Sequence, residues 1–285
     1  MIEMNIQQTI ASPMTLKGVG LHTGRKCVAQ FFPAPEDHGI KFVRTDLPGK
    51  PSFLAHVNSV VDVVRGTTLG MGEGRVYTIE HVLSALNGLE IDNLLIEMNE
   101  NEPPILDGSA IGFIEAIEKA GIQKQNKQRD FFRVDQPVVY ESNQTLIKIE
   151  PADHFELHCE VSYDHPLIRN QKQSFVRGDD YSKEIAPART FCFDYEIESL
   201  KKNGLAKGGS LDNAIVIGPE GIYNPDAKLR FENEFVRHKI LDLMGDLMLL
   251  GKPLKGKITA LRCGHGHNVK FLKQLINSQK TTASA

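Results

Sequence analysis

Cysteine is scarce and scattered. The chain has four, Cys27, Cys159, Cys192 and Cys263, and no two stand in a Cys-x-x-Cys pair. That argues against a thiolate metal site and a disulfide framework, and leaves isolated, reduced thiols as the expectation. Long apolar runs are also missing. No uncharged stretch approaches the roughly 18 residues that span a bilayer. The most apolar one, Leu241 to Leu250, is interrupted by Asp242 and Asp246. The opening MIEMNIQQTI lacks the basic-then-apolar order of a secretory signal. A cytoplasmic protein with no transmembrane segment is expected. There is no excess of one charge either: the formal net charge is -3 over 285 residues, so no general attraction to nucleic acid is expected.

What is present suits a globular protein of one or two domains. Apolar residues make up 41% of the chain, enough for a buried core. Gln123 to Asp130 (QKQNKQRD) is polar and has no apolar periodicity, which marks it as a linker. It divides a domain over 1–125 from another over 130–278, with a polar, disordered tail over 279–285.

The two halves show a similar order of elements. In the first, Thr78 to Leu89 has apolar residues at spacings of three and four and reads as a helix. A β-like run follows (Asn93 to Met98), then a turn (Pro103 to Gly108) and a second helix (Ser109 to Ala120). In the second, Glu232 to Leu250 reads as a helix, Lys257 to Leu261 as a strand, Cys263 to His267 as a glycine turn and Asn268 to Asn277 as a helix. Alternating runs precede each set, as at Lys26 to Phe32 and Thr145 to Glu150. The repeated order predicts an α+β protein with an internal duplication. Each half lays helices on one face of a mostly antiparallel or mixed sheet. Asp179 to Ile217 reads as an insertion in the second half, centred near 190–217.

Four local features carry chemistry. His238, Asp242 and Asp246 recur every four residues and share one helix face. An imidazole and a carboxylate one turn apart can reach one cation, and their atoms suit zinc. An ordinary ion pair on a solvated helix is the alternative. Glu80-His81 can border the same cavity, with His81 as a third metal ligand and Glu80 as a base. An exposed pair is the alternative there. Gly264-His265-Gly266-His267 can hold a histidine at a cleft for acid catalysis, or can simply be a turn. In Ala188-Arg189-Thr190-Phe191, the threonine can donate to a developing oxyanion and the phenylalanine can pack on a sugar; a generic strand reads the same way.

Taken together, these features resemble one family. GVGLHTG (18–24), TIEH (78–81), IDNLLIE (91–97), PILDGSA (104–110), ARTF (188–191), GGSLDNAIV (208–216), LRFENEFVRHKILDLMGDL (229–247) and Gly264-His265 run in family order. The chain is similar to the UDP-3-O-acyl-N-acetylglucosamine deacetylases, zinc hydrolases that commit sugar to lipid A, and so to the lipopolysaccharide of Gram-negative bacteria.

The resemblance implies two α+β sandwich domains of related topology, helices meeting at their interface, and a small insert in each. It implies Zn2+ held by His81, His238 and Asp242. It makes Glu80 the general base, Thr190 the oxyanion donor, His265 the catalytic histidine and Asp246 its orienting carboxylate. Lys239 becomes a substrate contact, and Phe191 the aromatic against the sugar. The acylated UDP-N-acetylglucosamine substrate needs an apolar passage, for which Ile197, Leu205, Ala206, Gly209 and Ser210 match, with Leu21 and His22 at the same site. Lys239 and Arg262 are expected at the diphosphate, and a monomer is expected.

Two departures stand out. Thr67 to Tyr77 is shorter and richer in glycine than is usual in the family, and lacks a cysteine some members place there. Lys207 occupies a position that is often apolar. Iron at the same ligands, a different N-acetyl sugar as substrate, and a non-enzymatic interaction protein are the competing readings.

Overall fold

The computed structural model describes residues 5–282. The first half runs β1 (Ile6–Ile10), β2 (Met14–Val19), β3 (Lys26–Pro33), β4 (Ile40–Arg44), β5 (Ser52–Leu54), β6 (Val60–Asp62), β7 (Thr68–Met71), β8 (Gly74–Val76), α1 (Glu80–Gly88), β9 (Leu94–Met98), α2 (Ile111–Ala120) and β10 (Ile122–Gln128). The second half runs β11 (Phe132–Arg133), β12 (Val138–Ser142), β13 (Thr145–Glu150), β14 (Phe155–Val161), β15 (Gln171–Val176), α3 (Tyr181–Glu184), β16 (Phe191–Phe193), α4 (Asp194–Lys202), β17 (Ile215–Gly218), β18 (Gly221–Ile222), α5 (Glu234–Leu247), β19 (Leu254–Leu261) and α6 (His265–Thr282).

The halves repeat one topology. The first sheet has the order β2-β3-β9-β4-β5 and the second β12-β13-β19-β14-β15. In each, the strand of that sheet last in the chain, β9 or β19, enters the middle, antiparallel to one neighbour and parallel to the other. A parallel pair cannot be joined by a tight turn. The long crossover in each half therefore carries a helix, α1 or α5, and a small three-stranded insert, β6–β8 or β16–β18. Strands such as β14 and β19 bury every second residue, so one face of each sheet is covered by helices. The expected α+β duplication holds.

The helices α1 and α5 meet between the halves and are buried on almost every side. All of Glu80 to Leu86 is buried in α1, and in α5 only Arg237 and Lys239 are not. The contact is close because α5 carries a glycine there. A Cβ on Gly245 would lie 2.8 Å from the Glu80 carbonyl carbon and closer still to its oxygen. A short way along, Asn87 Nδ2 donates to the Met244 carbonyl at 2.8 Å. The apolar stripe of α5 thus packs on its own sheet while the His238–Asp242–Asp246 stripe turns toward α1, buried rather than outward to solvent.

Four expectations fail. Gln123 to Asp130 is no linker: β10 pairs antiparallel with β1, from Ile6↔Gln128 to Ile10↔Ile122. β10 itself is exposed along almost its whole length, so it has no apolar alternation to read. Arg129 beyond it is anchored by Asp92 and Glu90 at 2.9 and 2.6 Å. Cys263 to His267 is not wholly a turn, because α6 starts at His265. Glycines at 264 and 266 lower helix propensity, yet the Asn268 N–H closes a helical bond to Gly264 O at 2.8 Å. The tail is helical through Thr282, and 283–285 lie outside the described residues. The thiols are reduced but not all isolated: Cys159 and Cys263 Sγ lie 3.8 Å apart, brought together by sheet pairing across 104 positions.

Gly245→Ala is expected to force α1 and α5 apart. Overpacking a tight core costs about 1–3 kcal/mol. A lower urea midpoint, with loss of the site between the helices, is the expected measurement.

A candidate metal and proton-transfer centre between the halves

His81 sits in the first turn of α1, and His238 and Asp242 one turn apart on α5. One ligand atom from each lies within 4.8 Å of the others, and all three side chains are buried. The two imidazole centroids are 5.2 Å apart. His238 Nδ1 donates to the Ala188 carbonyl at 3.1 Å, which leaves Nε2 with its lone pair, 3.3 Å from Asp242 Oδ1. A carbonyl behind a ring nitrogen is the usual way a metal-binding histidine is held in one tautomer. His81 Nδ1 is buried with no hydrogen-bond partner among the described residues. Burial holds the His81 ring below its ordinary pKa and His238 down at about 3, so both are neutral ligands at pH 7. Burial alone would raise Asp242, but His238 and Lys239 outweigh it and keep the carboxylate ionised. Two neutral imidazoles and one carboxylate fit a divalent cation such as zinc. The structure therefore contains a group able to hold a metal.

Two proton-carrying groups adjoin it. Glu80 is buried, and its Oε2 accepts the Thr67 N–H at 2.9 Å. Burial, with Asp246 and Asp242 nearby, pushes its carboxyl up to about 7, while His265 pulls the other way. His265 Nε2 lies 3.8 Å from Glu80 Oε1 and 3.9 Å from Asp242 Oδ2. Its Nδ1 is 2.9 Å from Asp246 Oδ2. Burial would lower this imidazole, but Asp246, Glu80 and Asp242 outweigh it and raise it to about 10. A carboxyl that titrates near neutrality and an imidazolium held charged well above it can act as an acid–base pair.

The other expected residues fall around this centre. Lys239 Nζ donates to Asp242 Oδ2 at 2.8 Å and stands 5.3 Å from the centre of the Phe191 ring. The Phe191 ring meets His238 edge-on, with centroids 6.1 Å apart. Thr190 is two residues beyond the carbonyl that orients His238, and its N–H donates to Gly108 O at 2.8 Å. Leu21 and His22 are brought to the second insert by main-chain bonds, Gly208 N–H to Leu21 O at 3.0 Å and Lys207 N–H to His22 O at 3.1 Å. The N–H of Ala206 donates to His22 Nδ1 at 3.3 Å. Gly208 allows this approach, since a Cβ there would strike Gly20 O.

His22, Leu205, Lys207, Gly66 and Thr78 line a cleft of about 600 Å3. It reaches Glu80, because a Cβ on Gly66 would lie 2.9 Å from Glu80 Oε1. Ile197 is half-buried on α4, and Gly209 and Ser210 are exposed. Arg262 stands apart from the His81–His238–Asp242 cluster, in a separate cleft of about 490 Å3 with Tyr163 and Gln144.

Sequence reasoning missed three groups. Thr67 reaches Asp246, Glu80 and His265. Asn268 donates to Asp246 Oδ2 at 2.8 Å. Glu102, buried, accepts from the main chain of His22 and Thr23 and from both threonine hydroxyls, Thr23 and Thr78. The only sequence signal was the position of Thr67 at the start of an unusually short stretch.

A duplicated sandwich that buries a His–His–Asp cluster beside Glu80 and His265 is compatible with a metal-dependent hydrolase. The chain belongs to the UDP-3-O-acyl N-acetylglycosamine deacetylase family, whose model matches residues 7–277. It is 46% identical over 281 residues to the UDP-3-O-acyl-N-acetylglucosamine deacetylase of Aquifex aeolicus, covering 98% of this chain and 96% of that one. The enzyme of the same name from Thermodesulfovibrio yellowstonii is 43% identical over 278 residues, covering 96% and 93%. That of Anaeromyxobacter sp. is 44% identical over 271 residues, covering 95% and 88%. Among the described residues no helix is long and apolar enough to cross a membrane.

In metal-free protein, 15N NMR is expected to find the His238 ring neutral at pH 5 and protonated at Nδ1. Below the ordinary value of 6.5 the unfolded chain takes up a proton that folded His238 refuses until about pH 3. That lowered pKa makes the ring's contribution to stability fall as pH drops through this window.

Proposed function

We propose that the chain hydrolyses the acetamide of UDP-3-O-acyl-N-acetylglucosamine, releasing acetate and the free amine, as a cytoplasmic, monomeric enzyme at the step that commits this sugar to lipid A. The observation that carries the proposal is the meeting of His81, His238 and Asp242 within 4.8 Å, with Glu80 and His265 beside them. The names and coverage of the relatives supply the substrate. The halves, 1–125 and 130–278, act as two domains that each contribute one helix to the centre.

His81, His238 and Asp242 would hold the metal. Bound there, zinc would polarise the acetamide carbonyl and make a nearby water more acidic. Glu80 Oε1, facing the cleft, accepts the proton of the attacking water. Its raised affinity for a proton suits a base working near neutral pH. The Thr190 hydroxyl donates to the oxyanion that develops on the substrate, and the His265 imidazolium shares that charge. His265 then delivers the proton from Nε2 to the departing amine, while Asp246 on Nδ1 holds the ring in place and charged. Lys239, tied to Asp242, and the face of Phe191 hold the sugar and its phosphates, with Arg262 as the outer diphosphate contact. The acyl chain lies along Leu21, His22, Ile197, Leu205, Ala206, Gly209 and Ser210.

The test is acetate release from acylated UDP-N-acetylglucosamine, with the non-acylated sugar as comparison. Release from the acylated sugar that stops with a chelator supports the reading. Equal turnover of both sugars would overturn the substrate assignment. Asp242→Ala is expected to purify with little or no zinc, measured by elemental analysis.

Glu80→Gln and His265→Ala are each expected to keep the metal and lower kcat by about 10²–10⁴-fold, the usual worth of a positioned acid or base. Loss of metal in His265→Ala would count against its role as the acid.

A further inference from the structure

We propose that Thr67 is a positioning residue that holds the base and the acid of this centre in one fixed relation. It does so from outside the helices that carry them. The inference rests on the roles given above to Glu80 and His265.

Thr67 lies just before β7, in the first-half insert, and is fully buried. Its main-chain N–H donates to Glu80 Oε2 at 2.9 Å. Its hydroxyl donates to Asp246 Oδ1 at 2.6 Å, and the same oxygen lies 3.3 Å from His265 Nδ1. A threonine hydroxyl has one proton and two lone pairs. With the proton given to Asp246, the oxygen is left to accept from the imidazole. The Nδ1–H of His265 is then shared between Asp246 Oδ2 at 2.9 Å and Thr67 Oγ1.

The bonds to Asp246 divide by oxygen. Asn268 and His265 hold Oδ2, and Thr67 is the donor to Oδ1 among the described residues. A carboxylate held at one oxygen alone can turn about its last torsion, which is broad. The imidazole bonded to it would turn as well. At the other end, the Thr67 N–H fixes one oxygen of Glu80 and leaves Oε1 facing His265 Nε2 at 3.8 Å. One residue therefore sets the spacing between proton acceptor and proton donor from both sides. Threonine suits this task, because its branched Cβ restricts the side-chain rotamer. It also acts across the interface, with Glu80 in its own half and Asp246 and His265 in the other.

The test uses the full chain loaded with zinc. Thr67→Val removes the hydroxyl, keeps the shape and leaves the main-chain N–H. Losing a hydrogen bond to a buried charged group is expected to lower kcat about 10–100-fold. KM should stay within about 2-fold, since ground-state binding is untouched. Bound zinc should not change. Thr67→Ser should return kcat to within about 3-fold of the parent by restoring the donor. In a His265→Ala background the valine change should have no further effect, because Thr67 acts through that ring. A second readout needs no turnover. In metal-free protein, the His265 Nδ1–H proton resonance should persist in the parent and the serine variant and be lost to solvent exchange in the valine variant.

Unchanged kcat in Thr67→Val would overturn the proposal. So would an equal fall in the His265→Ala background, or a serine variant no better than valine. Should valine prevent folding, Thr67→Ala carries the same comparisons with serine. If the parent itself releases no acetate, the functional reading fails, and the resonance comparison still decides the role of Thr67.

Discussion

The site depends on the backbone-to-backbone contact of α1 and α5 at Gly245. A glycine there lets the start of α1 rest on the middle of α5. Each helix crosses over the sheet of its own half and leaves its polar end groups for the other. Without that contact, His81 and Glu80 would belong to one half and His238, Asp242, Asp246 and His265 to the other, with no shared chemistry. The duplication makes the contact possible, since two copies of one crossover place equivalent helices face to face.

The same contact makes the centre dry, and dryness governs its electrostatics. Burial lowers the His81 and His238 imidazoles and raises Glu80. The charges that survive are paired. Lys239 answers Asp242, and His265 answers Asp246. With Glu80 ionised, three carboxylates, Glu80, Asp242 and Asp246, face two cations, Lys239 and His265, so the group is one positive charge short. An uncompensated buried charge is costly. A divalent cation between His81, His238 and Asp242 would supply positive charge where it is lacking. The fit of the cluster to a divalent cation and the raised proton affinity of Glu80 thus come from one cause, the exclusion of water by two packed helices.

Much of the chemistry was legible along the chain. Spacing of four put His238, Asp242 and Asp246 on one face, because helix geometry is local. What that face meets was not legible. Read alone, it suits solvent, since charged stripes usually do, and only α1 explains why it is buried. Glu80 and His81 point apart as neighbours on a helix must. Both are useful because α5 and α6 surround that end of α1, so one side chain reaches the cluster and the other His265. The strand β10 hid in a polar run because an edge strand exposed on both its faces needs no apolar alternation. The start of α6 hid behind two glycines, whose propensity cost is overridden by packing against α5.

By itself, then, the sequence determined the main helices and several central strands, their repetition in two halves and the residue types able to bind a metal and move protons. These depend on interactions between residues a few positions apart. The tertiary structure alone decided the order of the strands, the burial of the polar stripe, the Cys159–Cys263 contact and the bridge made by Thr67 from Glu80 to Asp246, 179 positions away from it in the chain. Such pairings are set by which surfaces exclude water together, and no local pattern in the chain records them.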